Sequence, residues 1–221
     1  MVKNIQIAID GKILEGIIYI PSSHPIAWVV FSHGSGSSHL SPRNREVAKT
    51  LYDHQFGTLL FDLLDPEEDT ILENRFNIEL LTKRLISVTN WLMKSDHYTT
   101  QTPIGFFGAS TGAAATLQAA VVAPKNWPLY AAVSRGGRVD LAKIHYLRQI
   151  SIPVLLIVGE KDYEVIRLNM MAQNEIPNSD MVFIHQAGHL FEEPGSLEKM
   201  IQESLHWFEK NLPLKLMAEV H

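Results

Sequence analysis

Hydrophobic positions along this chain follow two periods. Near the start, Ile5, Ile7 and Ile9 alternate with polar residues, Asp10-Gly11 marks a turn, and Leu14 to Ile20 returns. That arrangement predicts a β-hairpin. Short unbroken apolar runs follow: Ala27 to Ser32, Gly57 to Leu64, Pro103 to Phe107, Tyr130 to Ser134, Pro153 to Val158 and Met181 to Ile184. Such runs suit strands covered on both faces, as in a mostly parallel sheet. Between them the period lengthens. Ile78, Leu81, Leu85, Val88 and Leu92 line one side of a helix predicted over about Ile78 to Met93. Helices are also predicted from about Arg43 to Leu51, from Ser110 through the small residues ending at Ala123, and from Leu197 to Phe208.

Strands alternating with helices predict a doubly wound, three-layer α/β sheet, with one domain spanning 1–221. In such sheets the chemistry gathers in loops beyond the carboxyl ends of the strands. Asp65 to Thr70 reads as a solvated acidic loop. Between Ser134 and Pro153 only about 18 residues intervene, room for a short helix around Leu141 to Leu147 and little else by way of a cap. The terminal stretch LPLKLMAEVH is left open, to pack back or to extend.

Composition narrows the chemistry. A chain of 221 residues, 46% of them hydrophobic, buries a sizeable core without staples. It has no cysteine, which removes disulfides, thiolate metal sites and a cysteine nucleophile. The formal net charge is −5, and the basic groupings at Arg43 to Arg45 and Arg135 to Arg138 do not extend into a stripe, so nucleic acid is not an expected partner. Apolar runs fall far short of a membrane span, and the first residues lack the apolar core of a signal peptide. The expectation is a cytoplasmic protein acting on a small molecule.

Gly108-Ala109-Ser110-Thr111-Gly112 is a G-x-S-x-G between a predicted strand and a predicted helix. Small residues two before and two after the serine let the backbone turn sharply and lift the hydroxyl above the sheet. The bland reading is a helix entry that Ser110 or Thr111 merely caps. A serine nucleophile needs a base, and the base needs an orienting acid. His189 follows the strand at Met181 to Ile184, and Asp162 follows the strand at Pro153 to Val158. The order Ser110, Asp162, His189 is that of the serine–acid–histidine triads built on α/β sheets. Glu160 competes for the acid's role, standing two residues nearer its strand; His185 stands four residues before His189.

His33-Gly34-Ser35-Gly36 follows the strand at Ala27 to Ser32. A G-x-G-x-x-G would need glycine at position 39, where His39 stands, and no G-x-x-x-x-G-K-[ST] occurs, so neither nucleotide fingerprint is met. The loop reads instead as half of an oxyanion hole, with backbone N–H groups of Ser35 and Thr111 converging on a carbonyl oxygen. Whether Ser35 or Gly36 donates is open. His33 shapes the loop. Metal-ligand spacings are missing and no cofactor is called for. Arg135 and Arg138 are candidates to meet a substrate anion, with an ion pair to Asp140 or Asp162 as the structural alternative.

HGSG at 33–36, GFFGASTG at 105–112, LLIVGEKD at 155–162 and AGHLFEEPG at 187–195 together resemble the α/β-hydrolase superfamily, and within it the small dienelactone hydrolase-like branch. The resemblance covers nearly the whole chain. It implies a mostly parallel eight-stranded sheet with helices on both faces and a minimal cap. It also implies an acyl-enzyme route with Ser110 as nucleophile, Asp162 as acid and His189 as base. Dienelactone hydrolase itself carries cysteine in the nucleophile turn, whereas this chain has Ser110. The expected activity is therefore cleavage of carboxylic esters with small or medium acyl groups. The same triad would serve a thioesterase, lactonase or acyltransferase, and the fold would also serve a catalytically inactive binding protein.

Overall fold

A computed structural model describes residues 1–213. The stretch 214–221, which holds most of LPLKLMAEVH, lies outside them. The strands are β1 (Val2–Ile9), β2 (Lys12–Tyr19), β3 (Trp28–Ser32), β4 (Gly57–Phe61), β5 (Ile104–Ala109), β6 (Leu129–Arg135), β7 (Val154–Gly159) and β8 (Ser179–Ile184). They form one eight-stranded sheet in the order β1-β2-β4-β3-β5-β6-β7-β8. β1 and β2 make the expected antiparallel hairpin, β2 meets β4 antiparallel, and all later neighbours are parallel.

The unbroken apolar runs are explained by two cores, one on each face. Trp28, Val30, Phe106, Ala132, Val154 and Leu156 face one layer, while Val29, Phe31, Phe107, Ala131, Val133, Leu155 and Ile157 face the other. A strand covered on both sides has no polar face to alternate. Each large aliphatic or aromatic side chain so enclosed contributes roughly 1.5–3 kcal/mol against exposure. The first layer contains α2 (Ile78–Met93) and α3 (Thr111–Val122), with residues of α4 (Ile144–Leu147) and α5 (Tyr163–Gln173); the second contains α1 (Pro42–Asp53) and α6 (Ser196–Lys210).

Two stretches depart from expectation. Asp65 to Thr70 is not simply a solvated loop: Asp65 is buried, ion-paired with Lys12 at 2.5 Å, and Glu68 reaches Arg84 at 2.9 Å. Lys12 accordingly holds the Asp65 carboxyl below its ordinary pKa. Short 3-10 turns follow at Glu68–Thr70 and Leu72–Phe76. Between β6 and β7 the expected helix is split into a 3-10 turn, Val139–Leu141, and the single turn of α4. Only these two short elements stand between β6 and β7.

Candidate active site

β5 ends at Ala109 and α3 begins at Thr111, leaving one residue to reverse the chain. Ser110 makes that turn at φ 51°, ψ −119°, a left-handed backbone that costs a non-glycine residue energy and persists only where its surroundings hold it. Here they do. The Ser110 N–H donates to the Arg135 carbonyl at 3.1 Å, and the Ser110 carbonyl accepts from Arg138 N–H at 3.0 Å. Glycine is required two residues on, since a Cβ at Gly112 would stand 2.2 Å from the Ser32 carbonyl oxygen. Ser110 occupies the cap position of α3 yet makes no side-chain capping bond, so its hydroxyl is not spent on the helix.

Asp162 also occupies a cap position, that of α5, without capping it. Its Oδ2 lies 2.6 Å from His189 Nδ1. A carboxylate can only accept, so Nδ1 is the donor, which in the neutral imidazole leaves the lone pair on Nε2. The imidazole lies over Gly136: a Cβ there would be 3.4 Å from His189 Cε1, and the residue sits at φ 53°. Because Gly136 follows the residue that binds Ser110 N–H, the turn after β6 brings Ser110 and His189 to one place. Glu160 goes elsewhere. Its Oε2 meets His185 Nδ1 at 2.7 Å and accepts from Gln186 N–H at 2.9 Å.

The loop after β3 comes against the same turn, since a Cβ at Gly34 would stand 3.0 Å from that of Ser110. His33 anchors it. Its Nε2 accepts from Leu63 N–H at 3.0 Å, which leaves Nδ1 to donate to the Gly34 carbonyl at 2.9 Å. Burial pushes the imidazole pKa below its ordinary value and keeps it neutral. The Ser35 N–H does not point free into the site; it donates to Thr111 Oγ1 at 2.7 Å. The Thr111 hydroxyl thereby accepts one bond and keeps its own proton.

The two arginines separate. Arg138 is bound to Asp140 through Nε and Nη2, at 2.9 and 2.8 Å. Arg135 is buried among the β6, α1 and His189-loop residues, with Phe191 over its guanidinium at 5.8 Å and Asn44 Oδ1 at 3.5 Å. Asn44 lies in no motif, and Phe191, although inside AGHLFEEPG, is given no role by it, so both escape sequence reading. So does Arg75, whose Nη1 would lie 3.8 Å from a Cβ at Gly36 and whose guanidinium grips Asp69 at 2.9 Å. An apolar cleft of about 520 Å³ runs between α4 and α5 along Val139, Leu147, Leu168 and Met171; it touches none of Ser110, Asp162 and His189. No described helix is long and apolar enough to cross a membrane.

No family model matches the chain. Two Mycobacterium tuberculosis proteins, provisionally named phosphoribosyl transferases, are 46% identical over 207 residues, which is 93% of this chain. The chain spans about half the length of these curated relatives, 46%. Among solved structures, Est1E from Butyrivibrio proteoclasticus shares the fold at a TM-score of 0.79 with 15% identity, over 94% of this chain and 98% of its own. The dienelactone hydrolase of Anabaena variabilis aligns at a TM-score of 0.88 with 41% identity, over 96% of this chain and 99% of its own. With an eight-stranded sheet, a serine elbow and end-to-end identity of that degree, the chain belongs to the dienelactone hydrolase family of the α/β-hydrolase superfamily.

Proposed function

We propose that this chain is a serine hydrolase that cleaves carboxylic esters of small molecules through an acyl-enzyme. The observation that carries the reading is the Asp162–His189 bond of 2.6 Å, set beside a serine on a strained turn. A serine hydroxyl is a poor nucleophile until a base removes its proton. His189 Nε2 takes that proton as Ser110 Oγ attacks the carbonyl carbon, and later returns it to the leaving alcohol. Asp162 holds the tautomer and supports the imidazolium. Water, activated by the same nitrogen, then releases the acid.

Negative charge forms on the carbonyl oxygen, where preorganised donors act most strongly. Thr111 N–H, the first of α3, is the donor assigned to that position, since it directly follows the nucleophile. The first loop contributes through Ser35, whose N–H orients the Thr111 hydroxyl. Thr111 then offers two donors, its N–H and its O–H. His33 holds the loop in register from behind.

A lactone is a cyclic ester, and the name of the Anabaena variabilis relative places lactones among the substrates to be tried. Phosphoribosyl transfer has no support here. The name belongs to proteins of about twice this length, and the glycine loop of this chain is packed on Ser110.

Labelling with a fluorophosphonate probe tests the reading. The wild-type chain is expected to label and to hydrolyse short 4-nitrophenyl esters, and Ser110→Ala to do neither. Equal labelling of the two proteins would remove Ser110 from the mechanism.

A further inference from the structure

α5 meets the catalytic turns at two points, and only the first belongs to the triad. Its cap residue is Asp162, which holds His189. About two helical turns later comes Asn169, fully buried, with Val165 and Ala172 on the same enclosed face. Its Nδ2 donates to the Gly137 carbonyl at 2.9 Å and to the Val165 carbonyl, one turn back, at 2.8 Å. Its Oδ1 is buried and finds no hydrogen-bond partner among the described residues. An unpaired buried amide oxygen is costly, and a leucine of similar volume would fill the place without it. Packing alone does not account for an asparagine here.

What the amide holds is one end of a peptide plane. The Gly137 carbonyl and the Arg138 N–H belong to one planar unit and point in opposite directions. Asn169 takes the carbonyl, and the N–H donates to the Ser110 carbonyl at 3.0 Å. The Ser110 N–H is held in turn by the Arg135 carbonyl at 3.1 Å. Ser110 also accepts Ala113 N–H, but that bond lies within α3 and does not tie the elbow to β6. The strained backbone at φ 51° persists only while such braces hold it, and one of them runs through a rigid peptide to Asn169. The same turn seats the base, since Gly136, at φ 53°, lies under the His189 ring. A Cβ on Gly137 would stand 2.1 Å from Ser134 Oγ and 2.9 Å from the Ala113 Cβ, so the turn is pressed on β6 and α3 while its carbonyl meets α5.

We propose that Asn169 is a positioning residue of the reaction. Through the Gly137–Arg138 peptide it sets the Ser110 elbow and the seat of His189 against the helix that carries Asp162. One helix then registers nucleophile, base and acid. This rests on the hydrolase reading. Without the bond the peptide is free to rotate, and the elbow relaxes from its strained backbone. A shift of about 1 Å at the reacting atoms can cost roughly 100-fold in rate. Asn169 itself touches neither the nucleophile nor the base, so the loss falls on kcat and not on KM.

The test is Asn169→Leu, which keeps the volume and removes the donor. Its companion is Ala172→Gly, which weakens α5 through helix propensity and leaves the Gly137 bond in place. With a short 4-nitrophenyl ester, Asn169→Leu should lower kcat by roughly 10- to 100-fold and leave KM within about twofold. Its reaction with a fluorophosphonate should slow to a similar degree and still go to completion on nearly every molecule. Ala172→Gly, assayed below its melting point, should keep kcat within about twofold of wild type, because the molecules counted are folded. Should Asn169→Leu fail to fold, Asn169→Ser takes its place. A serine hydroxyl in a helix bonds back to the carbonyl four residues earlier, here that of Val165, and leaves Gly137 without its donor. The same loss of kcat is then expected.

An unchanged kcat in the folded variant overturns the proposal. So does an equal loss in Ala172→Gly, which would make the effect one of general rigidity in α5. A purely structural role would lower the fraction of molecules that take the probe and leave the rate of the remainder intact; that result overturns it too. A raised KM at constant kcat would assign Asn169 to substrate binding instead. Failure of both variants to fold would make Asn169 a determinant of the fold and not of the chemistry. A wild-type chain that takes no probe and cleaves no ester removes the hydrolase reading, and this inference with it. A wild-type chain that does both keeps that reading whatever Asn169→Leu shows.

Discussion

Two carboxylate–histidine pairs stand at the ends of the same two strands. Asp162 meets His189 at 2.6 Å, and Glu160 meets His185 at 2.7 Å, in both cases through Nδ1. By bond length they are equals. Their surroundings differ: the side chains of Asp162 and His189 are 15% and 37% exposed, those of Glu160 and His185 51% and 80%. The inner pair lies over Gly136, against the turn that carries Ser110. The outer pair faces water and ties β7 to β8, with Gln186 N–H as its further partner. An acid–histidine bond is therefore not a site in itself. It becomes a candidate site where the pair is partly buried and stands beside a turn that presents a nucleophile.

Substituting the two pairs in parallel is the severest way to break this contrast. His189→Ala should lower kcat/KM for a short 4-nitrophenyl ester by roughly 1,000- to 10,000-fold, and Asp162→Asn by roughly 100-fold or more, because the wrong tautomer is then favoured. His185→Ala and Glu160→Gln should stay within about twofold, as expected for an exposed ion pair remote from charge development. Comparable losses from both pairs would mean that burial does not separate them.

The chain order of Ser110, Asp162 and His189 is legible in the sequence because each follows a short apolar run, and strand ends are where such sheets place their chemistry. Choosing between residues two apart is not legible in the same way. Glu160 and Asp162 are divided by a tight turn, in which Asp162 N–H returns to the Gly159 carbonyl and Lys161 N–H crosses to Ala187. That turn depends on the β7–β8 register, a contact distant in sequence. Arg135 is similar: strand parity sets it with Ala131 and Val133 toward α1 and α6, and no local pattern reveals that an asparagine and a phenylalanine wait there. α5 escaped because its sequence, YEVIRLNMMAQ, buries only Val165, Asn169 and Ala172 and leaves Met170 and Met171 exposed, which blurs the helical period. The acidic segment misled for a related reason. Charge suggests solvent, yet Lys12 and Arg84 come from far along the chain to pair with it.

Thr111 sharpens the contrast from the inner side. Its hydroxyl accepts Ser35 N–H and holds one uncommitted proton beside Ser110. Thr111→Val keeps the shape and removes both functions, leaving the Ser35 amide without its acceptor. Loss of one side-chain donor, with the Thr111 N–H still in place, should lower kcat by roughly 10- to 100-fold with little change in KM. Thr111→Ser should restore most of it. An unchanged kcat in Thr111→Val would show that the backbone amides alone stabilise the oxyanion, and that the Thr111 hydroxyl only braces the loop.

The smallest effect belongs to the outer pair and is one of stability. The Gln186 N–H, and then His185, hold the Glu160 carboxyl below its ordinary pKa. A depressed carboxyl binds fewer protons folded than unfolded, so its contribution is fully present above the unfolded pKa of about 4.3 and is lost as pH falls through the folded value. Because Glu160 is exposed, solvent screens most of the gain. Thermal melts of wild type and Glu160→Gln should therefore differ by no more than about 1–2 °C at pH 6. The difference should close as the pH is taken down toward 3, while ester hydrolysis at neutral pH stays the same in both proteins. A gap that persists at pH 3 would mean that Glu160 acts through packing. A gap of many degrees at pH 6 would make the outer pair a structural clasp as consequential for the fold as the inner pair is for the chemistry.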